Sequence, residues 1–233
     1  MSNKKYRIAL AGNPNTGKST LFNALTGMNQ HTGNWPGKTV TQAIGAFIYE
    51  SDTYEVIDLP GTYSLYSNST DEEVARDYII FEDPDVTLVI VDATSLERNL
   101  NLALQVLEMT SKVILCVNLI DEAKKKGISV NAPLLSKQLG IPVVTMSARN
   151  KVGIDKLLKT VKEMVNGEIP LKPFVVPYTE EVEARIKELE PSIIHLFGKR
   201  FPTRWIALRL LDGDTTLLQS LTDKLVEKER VIL

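Results

Sequence analysis

Of the 233 residues only one is cysteine, Cys116, and only two are histidine, His31 and His195. A single cysteine excludes any disulfide within the chain. Set in the apolar run Val113 to Val117, it reads as a buried strand residue of a protein from a reducing compartment. The two histidines stand alone, with no cysteine or carboxylate at ligand spacing, so neither is assigned to iron or to any other metal. No Ser-His-Asp or Cys-His arrangement is legible either. Net charge is equally scarce: 27 basic residues face 29 acidic ones, leaving no field that would draw RNA, DNA or anionic lipid. The longest apolar runs, such as Val86 to Val91, fall far short of the ~20 residues of a membrane helix. No signal-peptide apolar region follows the first lysines. The expectation is a soluble, cytosolic piece, long enough for one substantial core plus a small second unit.

What is present begins with a complete G-x-x-x-x-G-K-[ST] pattern: Gly12, Asn13, Pro14, Asn15, Thr16, Gly17, Lys18 and Ser19. It follows an apolar strand, Tyr6 to Ala11, and enters a helix-like segment, Thr20 to Thr26. A strand that ends in such a turn at a helix N-terminus aims several backbone N–H groups at one spot, and the helix dipole adds positive charge there. Phosphate fits that spot. Lys18 reaches the outer phosphates, Ser19 offers its hydroxyl to a magnesium ion, and Thr20 borders the site.

The remainder alternates. Met28 to Thr41, with Gly33, Asn34, Trp35, Pro36 and Gly37, has no sustained period and reads as a long loop. Ala43 to Tyr49 and Tyr54 to Ile57 read as an antiparallel hairpin, and Ser69 with Glu72 caps a helix over Asp71 to Phe81. Val86 to Val91, Val113 to Val117 and Val143 to Met146 read as buried parallel strands. Leu96 to Met109, a segment from Pro133 to Gly140, and Ile154 to Val165 read as the helices between and after them. The polar segment Asn118 to Gly127 joins two of these units. This is an α/β fold with a mostly parallel, doubly wound sheet, whose ligands bind at the strands' carboxyl ends. Near Asn166 the composition shifts, and Pro170, Pro173 and Pro177 punctuate one stretch. The expected division is residues 1–168 and 169–233, the second part all-α. Its helices are Tyr178 to Glu190, Thr203 to Leu211 and Thr215 to Arg230, with Pro191 and Pro202 as separators. Trp205 reads as core, and three such helices make a thin bundle that belongs to a larger unit.

Four further elements fall at strand ends in a consistent order. Asp58 and Gly61 form D-x-x-G, where a carboxylate holds water on magnesium and the Gly61 N–H meets a γ-phosphate. Thr39, in the long loop, completes the metal shell from the other side. Asn118 and Asp121 form N-x-x-D, and an aspartate there accepts from guanine N1–H and the 2-amino group, which adenine cannot supply. Ser147, Ala148 and Arg149 supply a backbone N–H for guanine O6. Each pattern alone also has a plain reading, an Asx turn or a surface threonine; the shared order is what makes them one site.

Taken together, the first part of the chain resembles a G domain of the Ras-like GTPase superfamily. It departs from the usual N-K-x-D in having Leu119 for lysine, which loosens the cover over the base. GNPNTGKS at Gly12 to Ser19, Gly33 to Gly37, DLPGTYSL at Asp58 to Leu65 and DATSLERNLNL at Asp92 to Leu102 more narrowly resemble the FeoB ferrous iron transporters. That resemblance implies GTP and GDP as ligands with Mg2+, and a small helical domain linking the G domain to a membrane portion of the same protein. It also implies a place on the cytoplasmic face of the bacterial inner membrane; the balanced charge predicts no nucleic-acid partner, and an oligomer stays open. Thr62 stands where Ras has its water-orienting glutamine, and no arginine finger is evident. The resemblance implies potassium instead, bound by Asn15 and by carbonyls of the Gly33 to Gly37 loop, so Asn15, Lys18, Thr39 and Gly61 are the candidate catalytic groups. An Era-like switch on RNA and a nucleotide-dependent interaction module are the competing functions, and the charge-balanced tail argues against the first.

Overall fold

Alternation within the buried runs builds a single sheet and gives it two apolar faces. The computed structural model describes residues 3–27, 30–66, 69–214, 216–217 and 219–223. Seven strands, β1 (Lys5–Gly12), β2 (Gln30–Asn34), β3 (Thr41–Tyr49), β4 (Asp52–Asp58), β5 (Val86–Asp92), β6 (Val113–Asn118) and β7 (Val143–Thr145), lie in the order β2-β3-β4-β1-β5-β6-β7. From β4 to β7 all neighbours are parallel, whereas β2 and β3 run antiparallel at the edge. Successive side chains of a strand face opposite ways. Accordingly Ile8, Leu10, Leu88, Ile90, Ile114 and Cys116 face one side, and Ala9, Val89, Val91, Leu115 and Val117 the other. Cys116 is wholly buried, and burial pushes its thiol pKa up.

Helices cover both faces: α1 (Lys18–Thr26) and α6 (Ile154–Val165) one, α2 (Thr70–Asp77) and α3 (Leu96–Met109) the other. Two shorter helices, α4 (Ile120–Lys125) and α5 (Ala132–Leu139), follow β6. A strap from Gly167 to Tyr178 then leads to α7 (Glu180–Phe197) and α8 (Thr203–Leu211). The strap is pinned: Lys172 N–H donates to Gly140 O at 3.1 Å and Phe174 N–H to Leu139 O at 2.9 Å. Trp205, Ile206, Ala207, Leu217 and Leu221 are buried in the same apolar cluster as α2 and α3, so the helical tail shares the core on that face.

Three expectations need correction. The segment 28–41 is not a plain loop. Its residues 30–34 form β2, paired antiparallel with β3 from Gln30↔Gly45 to Asn34↔Thr41, while 28 and 29 lie outside the described residues. Backbone pairing to one neighbour makes this edge strand, and its exposed polar side chains leave no apolar period to read. The expected helix 71–81 is α-helical only to Asp77 and then widens into a π-helical turn, Tyr78–Glu82. Ser69 caps it as expected, its hydroxyl accepting from Glu72 N–H at 3.3 Å. Pro191 does not end a helix, for α7 runs through it. An internal proline costs about 3 kcal/mol. Ile186 and Ile193 are buried on either side of it, and each such burial is worth about 1.5–3 kcal/mol, so packing outweighs the break. The expected last helix, 215–230, is described only in part, with 216–217 and 219–223 helical. Asn118 to Gly127, read as a polar segment, folds into the end of β6 and α4.

Candidate functional site

β1, β4, β5, β6 and β7 are parallel, so their carboxyl ends share one edge, and the predicted residues gather there. β1 delivers the phosphate loop. Within it Asn15 and Gly17 take left-handed backbone angles, φ 65° and 84°. A side chain at Gly17 would overlap the Asn118 amide, so only glycine fits. Thr16 Oγ1 donates to Asn13 O at 2.8 Å and closes the turn. Helix α1 begins at Lys18, two residues earlier than expected, with no side-chain cap on its first turn. Its leading N–H groups therefore have no partner within the helix and suit an anion. Asn15, Ser19 and Thr20 are exposed there, and Asn13 is buried with an Oδ1 that has no partner.

Lys18 Nζ donates to the carboxylate of Asp58, at the end of β4, and both side chains are largely buried. Burial pushes the Asp58 carboxyl pKa above its ordinary range, and the attraction of Lys18 does not overcome it. The two groups expected at the phosphates and the metal are thus held by each other. Gly61 lies against Pro14, and Thr62 N–H donates to Gly12 O at 3.3 Å, which staples the D-x-x-G turn to the phosphate loop. Thr39 is exposed and makes no hydrogen bond to the phosphate loop. Its turn is seated elsewhere: Lys38 Nζ donates to Glu73 Oε2 at 2.9 Å, and the Trp35 ring meets Tyr78 edge-on at 5.4 Å. Trp35 Nε1 is buried without a partner, and a cavity of about 590 Å³ opens beside it, bounded by Tyr78, Phe81, Asp77 and Ser220. Gly33 and Asn34 pair with β3 in this arrangement and are not bonded to Asn15.

Asn118, 1% exposed, joins three of the predicted elements. Its Nδ2 donates to Thr16 O at 2.9 Å, and its Oδ1 accepts from Ala148 N–H at 2.9 Å. Of the three residues expected to supply one backbone N–H to guanine O6, two have theirs engaged within the protein: Ala148's by Asn118, and Ser147's by Val152 O at 3.1 Å. Arg149 follows in an exposed turn. Leu119 sits at φ 61° as the N-cap of α4 and aims Asp121 into that helix's first turn. Asp121 Oδ2 accepts from Asn150 Nδ2 at 2.9 Å, while Oδ1 is buried and unpartnered. Burial acts to raise the Asp121 pKa, but the Ser147 hydroxyl and the N–H groups of Asp121 and Glu122 outweigh it and hold the carboxyl below its usual range. An ionised acceptor with an open, buried oxygen fits a ligand edge rich in N–H, as guanine has and adenine lacks.

Sequence reasoning missed the Lys18–Asp58 pairing, the Thr62 staple and Asn150. For Asn150 a signal existed, since Ser147 and Asn150 form a Ser-x-x-Asn turn directly after a strand. His31 and His195 are exposed, and among the described residues no group of His, Cys, Asp or Glu could hold a metal ion by itself. Among the same residues no helix is long and apolar enough to cross a membrane.

Residues 6–161 match the family described as Ferrous iron transport protein B, and residues 178–232 match the FeoB cytosolic helical domain. The Fe(2+) transporter FeoB of Methanocaldococcus jannaschii is 46% identical over 215 residues, covering 91% of this chain and 31% of the relative. The Escherichia coli K12 transporter is 39% identical over 216 residues, covering 91% and 27%. Among solved structures, the cytosolic domain of T. maritima FeoB in its apo form superposes with a TM-score of 0.85 at 41% identity, covering 94% of this chain and 86% of that one. Its GMPPNP form gives 0.84 at 40%, covering 94% and 85%. The chain thus spans under a third of the curated relatives it matches, and it belongs to the family of ferrous iron transport protein B.

Proposed function

We propose that this chain binds and hydrolyses GTP, and that in doing so it regulates or powers Fe(II) uptake through a membrane portion outside these residues. The observation that carries the reading is the Asn118 bridge, which makes one rigid piece of the phosphate loop and the base-selecting Asp121 region. Relatives whose structures are described as GDP and GMPPNP forms support it. Membership of the family sets aside the Era-like alternative. We retain residues 1–168 as the G domain and 169–233 as the helical domain.

In the proposed cycle the Lys18–Asp58 pair opens. Lys18 turns to the β- and γ-phosphates, and Asp58 is released toward the metal site. The first-turn N–H groups of α1 hold phosphate oxygens, Ser19 and Asp58 are the groups that would hold Mg2+, and Gly61 N–H faces the γ-phosphate. Magnesium, when bound, neutralises charge on the phosphates. Thr39 joins only after its turn leaves Tyr78, because Trp35 and Lys38 now seat it there. Neither a water-orienting glutamine nor an arginine finger is present, so unaided hydrolysis is slow.

Potassium at Asn15 is proposed to take the place of the arginine. Asn15 suits this by its exposed amide and left-handed backbone at the mouth of the loop, and the carbonyls of Gly33 to Gly37 reach it only once the turn is released. GTP turnover in KCl should exceed that in NaCl by on the order of tenfold or more, part of the roughly 10³–10⁵ an arginine finger supplies. Asn15→Ala should abolish the difference while GDP still binds. Equal rates in the two salts, or a stimulation that survives Asn15→Ala, would refute the potassium role.

A further inference from the structure

We infer that Asn150 is a positioning residue for base recognition: its side-chain amide sets the rotation of the Asp121 carboxylate and so governs how sharply guanine is told from hypoxanthine. This rests on the GTP-binding reading above. Both hydrogens of the Asn150 amide are in use. One goes to Asp121 Oδ2 at 2.9 Å and the other to Ser147 Oγ at 3.1 Å. The Asn150 amide thus bridges the Asp121 carboxylate and the Ser147 hydroxyl.

The turn that carries Asn150 is held on both sides. Asn150 N–H donates to Ser147 O at 3.2 Å, Lys151 N–H to Ala148 O at 3.3 Å, and Ser147 and Val152 exchange two backbone hydrogen bonds of 3.1 Å. The next residue, Gly153, has φ 82°, and a Cβ there would lie 2.5 Å from Thr145 O, so only glycine lets the turn lie this close to β7. The amide is thus presented to Asp121 by a fixed backbone.

An aspartate needs such a partner because its terminal torsion is broad. To accept guanine N1–H and the 2-amino group together, both carboxylate oxygens must lie near the plane of the base. A carboxylate free to turn satisfies one of the two. Leu119, in the place of the lysine of the common N-K-x-D pattern, brings no donor to steady the site, and Asp121 Oδ1 is left as the unpartnered acceptor. Asn150 steadies the other oxygen. Hypoxanthine keeps N1–H and lacks the 2-amino group, so loss of orientation penalises guanine more than hypoxanthine.

Asn150 is exposed, and its contacts contribute little to folding, so its substitution gives a clean binding readout. Titration calorimetry of the full chain with GDP, IDP and ADP in magnesium buffer tests the inference. For Asn150→Ala we expect GDP affinity to fall about fivefold, the scale of one ordinary net hydrogen bond, and IDP affinity by less than about twofold. The melting temperature without nucleotide should stay unchanged. Asn150→Asp, which sets a like charge against Asp121, should lower GDP affinity further. Equal losses for GDP and IDP, or no loss for either, in a parent chain that prefers GDP to ADP would overturn the role of Asn150 alone. A parent chain with no preference for GDP over ADP would overturn the GTP-binding reading, and this inference with it.

Discussion

Asn118→Ala is expected to lower the unfolding free energy by about 2–5 kcal/mol and to weaken GDP binding at least as much. The side chain is buried and satisfies two backbone groups, Thr16 C=O and Ala148 N–H, at 2.9 Å each. Alanine orphans both, and each buried group left unpaired costs about 1–3 kcal/mol. The binding loss comes on top, since the phosphate loop and the loop of Ser147 to Arg149 are no longer held together. Asn118→Asp is the discriminating partner. It keeps the acceptor for Ala148 and replaces the donor to Thr16 O with an anion, so it should bind GDP as poorly as alanine does. Urea denaturation at constant slope, read beside calorimetric GDP titration, checks both. An unfolding free energy within about 0.5 kcal/mol of the parent, the range of ordinary surface changes, would show that Asn118 does not carry the bridge.

Arg76→Ala should cost about 3–5 kcal/mol, the scale of breaking a buried ion pair by removing one partner. Arg76, on α2, has no exposed surface. Its Nη2 lies 2.7 Å from Asp77, its Nη1 lies 3.6 Å from Asp214, and its guanidinium donates to Thr216 and Ser220 of the tail. Asp214 is also shared with Arg209, which stacks over Tyr66. A lysine has neither the fork nor the reach for these partners at once, so Arg76→Lys should recover less than half the loss.

The pH dependence has a definite sign. Burial raises the Asp77 carboxyl even against Arg76. A carboxyl raised on folding is penalised when ionised, so the penalty appears as pH climbs through the folded pKa and vanishes below the unfolded one. Removing Arg76 raises that carboxyl further. The gap between parent and variant should therefore be widest near neutrality and shrink as the pH is lowered into the carboxylate range. At Asp214 burial is the largest influence, and it is outweighed by Leu217 N–H, the Thr216 hydroxyl and the two arginines. The net pKa is lowered, so protonation in acid removes stability from the parent and closes the gap from the other side. A gap that widened in acid would contradict the assignment.

What could be read from the sequence follows from where each cause lies. Strands β5 and β6 are buried on both faces, and their unbroken branched runs announce it. The bounds of α6 and α8 match expectation because their apolar spacing is regular and Gly153 and Pro202 mark the starts. β2 was invisible because edge pairing needs no particular side chain. Pro191 misled because its local cost is real and is offset by contacts with α8 that no window of sequence contains. Arg76 sits among charged neighbours in TDEEVARD and looks like a solvated face, yet residues about 140 positions later bury it. At the site, the motif residues converge on one edge as expected. The pairing of Lys18 with Asp58 and the seat of Thr39 away from the phosphate loop belong to this conformation, and a motif does not specify a conformation.

Trp35 and Trp205 are the only indoles in the chain. Trp205 is 2% exposed in the shared core, so its ultraviolet emission is set by packed apolar surroundings. Trp35 is half-buried, edge-on to Tyr78, beside a cavity that touches the turn of Pro36 and Lys38, α2 and the tail. Its emission is set by the contact with Tyr78. If the turn leaves Tyr78 as proposed, Trp35 reports the release optically, and Trp205→Phe leaves that signal alone in the spectrum, with no dye attached.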